Sequence, residues 1–227
     1  MPPTYLTWEQ RTLQHISPEE LNNLYNEGFV ATRLGRGIFN KTRSLRIDLG
    51  AFILSSENRR ILKKTEGLNL SSHPIPYAPY SWTVGKMAKD FYTEKFGDGT
   101  FSANKIKELL TTPDKSTFNR LHIYRWPNYP EPIGYCIALE TSEFLHYCYP
   151  FYELHATEHP LPPNLGLGMM LRAILSAQEE GKKHIYLGSL QRPSDTYKLQ
   201  FTGLEWFDGK VWHTDITAAK NLLTHIE

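Results

Sequence analysis

The chain has 227 residues, 25 Lys+Arg against 24 Asp+Glu and a formal charge of +1. Its 40% hydrophobic, 13% aromatic and 22% charged residues exclude charge-driven disorder and the fibrous classes, while the length allows one large domain or two tight ones. The opening Met1-Pro2-Pro3-Thr4-Tyr5-Leu6 has neither a basic n-region nor an apolar core, and no stretch approaches ~20 apolar residues, so a cytoplasmic protein without membrane contact is expected.

Ser17-Pro18-Glu19-Glu20 supplies an N-cap, a proline at the first helical position and a capping-box Glu, and Gly28 supplies the stop, so a short first helix is predicted. Charge then concentrates: residues 31–66 carry 9 Lys+Arg and 3 Asp+Glu, and residues 1–120 carry 17 and 12 where residues 121–227 carry 8 and 12. A basic patch on a near-neutral chain suits a limited contact with phosphates, although a solvated basic face has the same composition. Ser44 to Leu49 reads as a strand and Ser55 to Lys64 as a helix, on which Arg59 lies over Lys63 and Arg60 over Lys64 as a cationic ridge. Pro74, Pro76 and Pro79 mark residues 71–80 as a loop, and helical patterns return from Trp82 to Phe96 and from Ala103 to Leu110.

From Thr117 the period becomes that of strands. Phe118 to Tyr124 and Ile133 to Leu139 form a predicted hairpin with a proline-rich tip, and Phe144 to Tyr149 leads through Pro150 to Phe151-Tyr152-Glu153. Leu167, Met170, Leu171, Ile174 and Leu175 recur at helical spacing, closed by Gly181, and His184 to Gly188 is a short buried strand. Strand, helix and strand imply a βαβ crossover with parallel pairing. A helix near Ser194 to Leu199, a hairpin turning at Asp208-Gly209 and a C-terminal helix from about Thr217 complete the pattern.

Three groups of residues could carry chemistry. Pro163-Asn164-Leu165-Gly166-Leu167-Gly168 lies before the crossover helix, where backbone N–H groups and the helix dipole favour an anion or a polarised carbonyl, although a tight turn needs the same glycines. Ser189 follows the short strand, and Tyr197 falls in the next helix, from which its hydroxyl could point back to that glycine turn; a Tyr there is also an ordinary core residue. His155-Ala156-Thr157-Glu158-His159 matches a zinc-protease spacing, but Pro150, Pro160, Pro162 and Pro163 leave little room for its helix, and no metal is expected. Cys136 and Cys148 read as reduced core thiols.

Leu165-Gly166, Tyr186-Leu187-Gly188, Tyr197-Lys198 with Phe201 and Glu205, Asp208-Gly209 and Trp212 resemble, as an ordered set, the C-terminal part of the aminoacyl-tRNA–protein transferases, the arginyl and leucyl-type enzymes of the N-degron pathway. Tyr149-Pro150-Phe151-Tyr152-Glu153 is similar to their aromatic-acidic strand end, and Ser44 to Ile47 with Ser55 to Lys64 to their strand and basic helix. The likeness spans about residues 28–213. The family's N-terminal cysteines are absent from residues 30–45, and the loop between Glu153 and Leu165 is longer and proline-rich.

The resemblance implies a GNAT acyltransferase fold of mixed α/β type: a mainly antiparallel central sheet flanked by helices, with a parallel βαβ at the active site. A basic N-terminal segment would occupy residues 1–43 and the catalytic domain residues 44–227. It implies transfer of an amino acid from the 3′ ester of an aminoacyl-tRNA to the α-amine of a protein or peptide, by a monomer without a cofactor. Tyr197 is then the expected acid. Glu153 and Tyr152 would orient the amine, Gly166, Leu167, Gly168, Ser189 and Lys198 would hold the ester, and Arg59, Arg60, Lys63 and Lys64 would hold acceptor-stem phosphates. Two alternatives use the same residues: an N-acetyltransferase taking acetyl-CoA, disfavoured by Pro163 where acetyl-CoA-binding loops carry Arg or Gln, and an inactive peptide- or tRNA-binding module.

Overall fold

A computed structural model describes residues 6–127, 129–155 and 160–224. Contacts divide the chain into two compact units, one of Met1–Ser55, Glu140–His146 and Ala177–Glu227, the other of Ser56–Leu139 and Tyr147–Ser176.

In the first unit, β1 (Glu9–Thr12), β2 (Phe29–Ala31) and β3 (Ile38–Lys41) form a three-stranded sheet in the order β1-β3-β2. None of these strands is predicted from sequence: each has three or four residues, too few to show alternation, and all four side chains of β1 are exposed. Between β1 and β2, α1 (Pro18–Asn26) begins as expected, with Ser17 and Glu20 closing a capping box that satisfies two otherwise orphaned N–H groups. Its buried face holds Leu21, Leu24 and Tyr25. Tyr25 is the aromatic centre of the unit, stacked on Phe144 at 4.2 Å and edge-on to Tyr186 at 4.8 Å between ring centroids. Burying such a ring is worth roughly 1.5–3 kcal/mol, so a truncation at Tyr25 would loosen α1 from the strands beneath it.

The unit also contains β4 (Ser44–Asp48), β9 (His184–Ser189), β10 (Leu204–Phe207), β11 (Trp212–His213), a 3-10 helix (Pro193–Gln200) and α6 (Ile216–Thr224). β10 and β11 form the expected hairpin at Asp208-Gly209, with Trp206 opposite His213 and Phe207 opposite Trp212. On either side of β9 lie β4, paired antiparallel, and the first residues of β8 (Phe144–Tyr152), paired parallel with Phe144 opposite His184. With α5 (Leu165–Glu179) as the intervening helix, β8 and β9 make the predicted βαβ. Gly181 follows α5 at φ 73°, the left-handed conformation that ends a helix without a Cβ clash.

The second unit contains α2 (Ser56–Lys64), β5 (Asn69–Pro74), α3 (Trp82–Phe96), α4 (Ala103–Thr111), a 3-10 turn (Pro113–Lys115), β6 (Arg120–Arg125) and most of β7 (Gly134–Glu140). The larger sheet runs β11-β10-β4-β9-β8-β7-β6-β5. Pairing is antiparallel from β11 through β10 and β4 to β9 and again from β7 through β6 to β5, and it is parallel between β9 and β8. The expected class, a mixed and mainly antiparallel sheet flanked by helices with one parallel βαβ, is therefore the one found.

One local expectation is corrected. Residues 71–74 are not loop but the end of β5, which pairs with β6 from Asn69 opposite Arg125 to Pro74 opposite Arg120. β5 is the last strand of its sheet, and an edge strand tolerates a proline at its end because one side of its backbone needs no ladder partner. The strand from Phe144 runs through Pro150 to Tyr152. The tip of the predicted β6–β7 hairpin includes residue 128, and most of the His155 to His159 pattern occupies residues 156–159; both lie outside the described residues. Among the described residues no group of His, Cys, Asp and Glu is arranged to hold a metal ion, and no helix is long and apolar enough to cross a membrane.

Candidate active site

In the first unit Ser189 ends β9, and Tyr197 and Lys198 lie on the 3-10 helix that follows it. The pairing of β4 with β9 slips near that end: Leu45 faces Gly188 while the next residue, Arg46, faces Tyr186, so Leu187 is an extra residue in the strand. Gly188 takes φ 77°, which a side chain would strain, and the bulge turns the strand end out of its ladder. Ser189 is buried opposite Ser44, and its carbonyl accepts a hydrogen bond from Lys198 Nζ at 2.9 Å.

Lys198 and Asp195 fasten the following 3-10 helix to this strand end. Lys198 Nζ lies 3.1 Å from Asp195 Oδ1, with the two side chains 12% and 14% exposed. Asp195 Oδ2 accepts the N–H groups of Gln191 and Arg192 at 2.9 Å each, capping the helix start. Burial alone would raise the pKa of this carboxyl. The Lys198 charge and the two backbone donors outweigh burial, and the pKa falls below the usual Asp value. Lys198, expected to touch substrate, thus uses its ammonium to bind Ser189 and Asp195.

Tyr197, next to Lys198, is held at the surface. The residue is 43% exposed, which separates it from the core tyrosines, and Lys198 Nζ stands 5.8 Å from its ring centroid. Such a phenol on a short pinned helix can donate a proton without first leaving a packed interior.

Beside the same strand end lies His146, which sequence reading weighed only as a spare metal ligand. His146 in β8 is 1% exposed; its Nδ1 is 2.7 Å from the Tyr25 hydroxyl, which also accepts the Ala31 N–H at 3.1 Å. Nε2 has no hydrogen-bond partner among the described residues, and a Cβ placed on Gly188 would meet it at 3.9 Å. Burial, then the nearby Lys198 charge, pushes the imidazole pKa down to about 3, so the ring is neutral near pH 7. No local pattern around Phe144-Leu145-His146-Tyr147 marks it, because its partners Tyr25 and Gly188 are far away in the chain. Asp195 had a weaker signal, its position three residues before Lys198.

The remaining expected residues fall in the second unit. Gly166 and Gly168 lie inside the first turn of α5 rather than in a loop before it, and the turn is reached through Asn164 at φ 63°. The Gly168 N–H is already bonded to the Asn164 carbonyl at 2.9 Å. Packing explains both glycines: a Cβ on Gly166 would stand 2.9 Å from the Tyr152 hydroxyl, and one on Gly168 would stand 2.7 Å from Thr65 Cγ2. Tyr152 therefore lies against the helix start, and Leu167 is half-buried. Glu153 turns its Oε1 to the N–H groups of Leu154 and His155 at 3.1 Å each, so that oxygen caps the turn after β8.

On α2, Asn58 and Ile61 are buried, and Arg59, Arg60, Lys63 and Lys64 are exposed as the spacing predicts. Arg60 is bound in fork geometry to Glu57, at 2.7 and 2.5 Å, which offsets part of the ridge's charge. Tyr197, Ser189 and Lys198 belong to one unit, and the residues of α2, α5 and the β8 end to the other.

No family model and no curated protein matches the chain. Among solved structures, it is similar to the C-terminal domain of a candidate lysylphosphatidylglycerol synthetase from Agrobacterium fabrum, with 14% identity, 76% of this chain and 51% of that one covered, and a TM-score of 0.45. It is also similar to L-PGS from Bacillus licheniformis, at 11% identity, 92% and 70% coverage and a TM-score of 0.48. FemX follows at 10% identity, 75% and 60% coverage and a TM-score of 0.43. The chain thus spans about half the length of the first of these structures, and all three TM-scores lie below 0.5.

Proposed function

We propose that this protein is an aminoacyltransferase that moves an amino acid from the 3′ ester of an aminoacyl-tRNA to the α-amine of a protein or peptide. The observation that carries this reading is the surface placement of Tyr197 on a helix pinned by Lys198 and Asp195 to the bulged end of β9. An α-amine titrates near ~7.7–8.0, so an appreciable fraction is neutral and needs no strong base. Its nitrogen attacks the ester carbon, and the C–O bond to the ribose breaks. The departing alkoxide, a far stronger base than the amine, takes the Tyr197 proton. The proton released by nitrogen returns to the phenolate, and the enzyme is restored.

In this scheme Ser189 assists the ester carbonyl within the unit that carries Tyr197, and the exposed cations of α2, in the other unit, contact RNA phosphates. An acetyl-CoA donor would use the same phenol to protonate a thiolate, a much weaker base for which the acid matters less.

The test is incubation with a mixture of charged tRNAs and peptides beginning with Asp, Glu, Lys or Arg, followed by mass spectrometry. An added aminoacyl mass, lowered about 10²–10³-fold in rate by Tyr197→Phe with the peptide KM unchanged, is expected for an acid acting in the transition state. Acetyl addition from acetyl-CoA with no aminoacyl adduct would overturn the proposal.

A further inference from the structure

Arg43 is a cation whose environment the fold leaves incomplete. It immediately precedes β4, and its carbonyl accepts the Leu190 N–H at 2.8 Å, one step beyond the Ser44–Ser189 pair. Its backbone therefore lies across from the strand end that carries Ser189 and leads to Tyr197. The side chain is half-buried, yet it makes no hydrogen bond or ion pair among the described residues, and burial alone lowers its pKa.

Three other half-buried cations of the same unit are compensated. Arg46 meets Glu205 at 2.6 Å, Lys182 meets Glu180 at 3.2 Å and the Thr141 carbonyl at 2.9 Å, and Lys198 meets Asp195 at 3.1 Å. A guanidinium partly removed from water without a counter-charge is a net cost to folding. Among the described residues nothing offsets that cost.

We propose that Arg43 binds a phosphodiester group near the 3′ end of the donor RNA. This rests on the aminoacyl-transfer reading. A guanidinium fork matches two phosphate oxygens in one plane. The surrounding sequence favours a polyanion over a single carboxylate: residues 31–46 contain Arg33, Arg36, Lys41, Arg43 and Arg46 and no Asp or Glu. Of these, Arg46 is tied to Glu205 and Lys41 stands over the Phe29 and Phe207 rings. A ribose-phosphate chain ending in an ester would place its nearest phosphate within a few bonds of the acyl carbon, which suits a site beside the end of β9.

The experiment measures binding of the full chain to a fluorescent acceptor-stem RNA hairpin with a free 3′ end, between 50 and 200 mM salt, together with thermal unfolding. Arg43→Gln is expected to weaken binding about tenfold at the low-salt end and to reduce the log–log salt slope by ~0.7–0.9, the release of about one counterion. It should leave the thermal midpoint unchanged or raised, because no partner among the described residues is lost, and Arg43→Lys should retain most of the slope. Unchanged affinity and slope would overturn the inference while leaving the transfer reaction intact. So would a fall in affinity matched by a fall in thermal midpoint, which would make Arg43 structural, or a higher peptide KM with normal RNA binding, which would assign it to the acceptor. A wild type that binds no RNA yet acetylates from acetyl-CoA would remove the underlying reading as well.

Discussion

At the scale of single residues, the end of β9 is organised by two groups whose ionisation is shifted by the fold. The neutral His146 has a folded pKa of about 3, below its ordinary 6.5. Its contribution is complete above about pH 6.5 and is lost as pH falls toward 3, because the unfolded chain takes up the proton first; the slope approaches ~1.4 kcal/mol per pH unit. Urea unfolding from pH 7 to pH 4.5 should show stability falling, and His146→Gln should flatten the dependence below pH 6.5. Asp195 is also depressed, so its pairing with Lys198 stabilises the fold above the unfolded Asp value and fades as pH drops through the lower folded one. Asp195→Asn leaves a mostly buried ammonium without its counter-charge and should cost on the order of 3 kcal/mol, read from the urea midpoint. If that variant unfolds at the wild-type midpoint, the pair does not anchor the Tyr197 helix.

At the scale of elements, the glycines of α5 and the cations of α2 show how far spacing can be read. The helical repeat of Leu167, Met170, Leu171 and Ile174 located α5, and its glycines were visible, but their reason was not. Thr65 and Tyr152, distant in the chain, are what a Cβ would strike. Gly168→Ala should therefore destabilise by about 1–3 kcal/mol through overpacking, and by less in a Thr65→Ala background. Equal costs in both backgrounds would separate the glycine from Thr65. On α2 the amphipathic spacing was enough: Ile61 is buried and Arg59 and Lys63 are exposed. Replacing both cations with Glu should weaken acceptor-stem RNA binding with a shallower salt slope, measured by anisotropy, while secondary structure by circular dichroism stays the same.

At the scale of the whole molecule, binding and stability are linked. A ligand that binds only the folded chain raises its stability by about 2.7 kcal/mol at a hundredfold excess over Kd, so acceptor-stem RNA at 50 mM salt should raise the thermal midpoint and lose that effect at high salt. A midpoint indifferent to RNA at every salt concentration would contradict a tRNA donor. The amino-acid sequence by itself determined the chain's class, the long helices, the capped start of α1, the βαβ and the β10–β11 hairpin, because these depend on periodicity and turn chemistry within a few residues. It did not determine β1, β2 and β3, whose short strands exist through pairing rather than propensity, nor the inclusion of residues 71–74 in an edge strand. Tertiary structure alone decided that Tyr197 stays exposed, that Lys198 is spent on Ser189 and Asp195, and that His146 is buried beside Gly188. His146 meets Tyr25 and Gly188 from tens of positions away, and even the Lys198 contacts, nine and three residues apart, form only once the bulged strand end and the 3-10 helix are packed together; burial, charge pairing and pKa are properties of such contacts rather than of the residues in sequence.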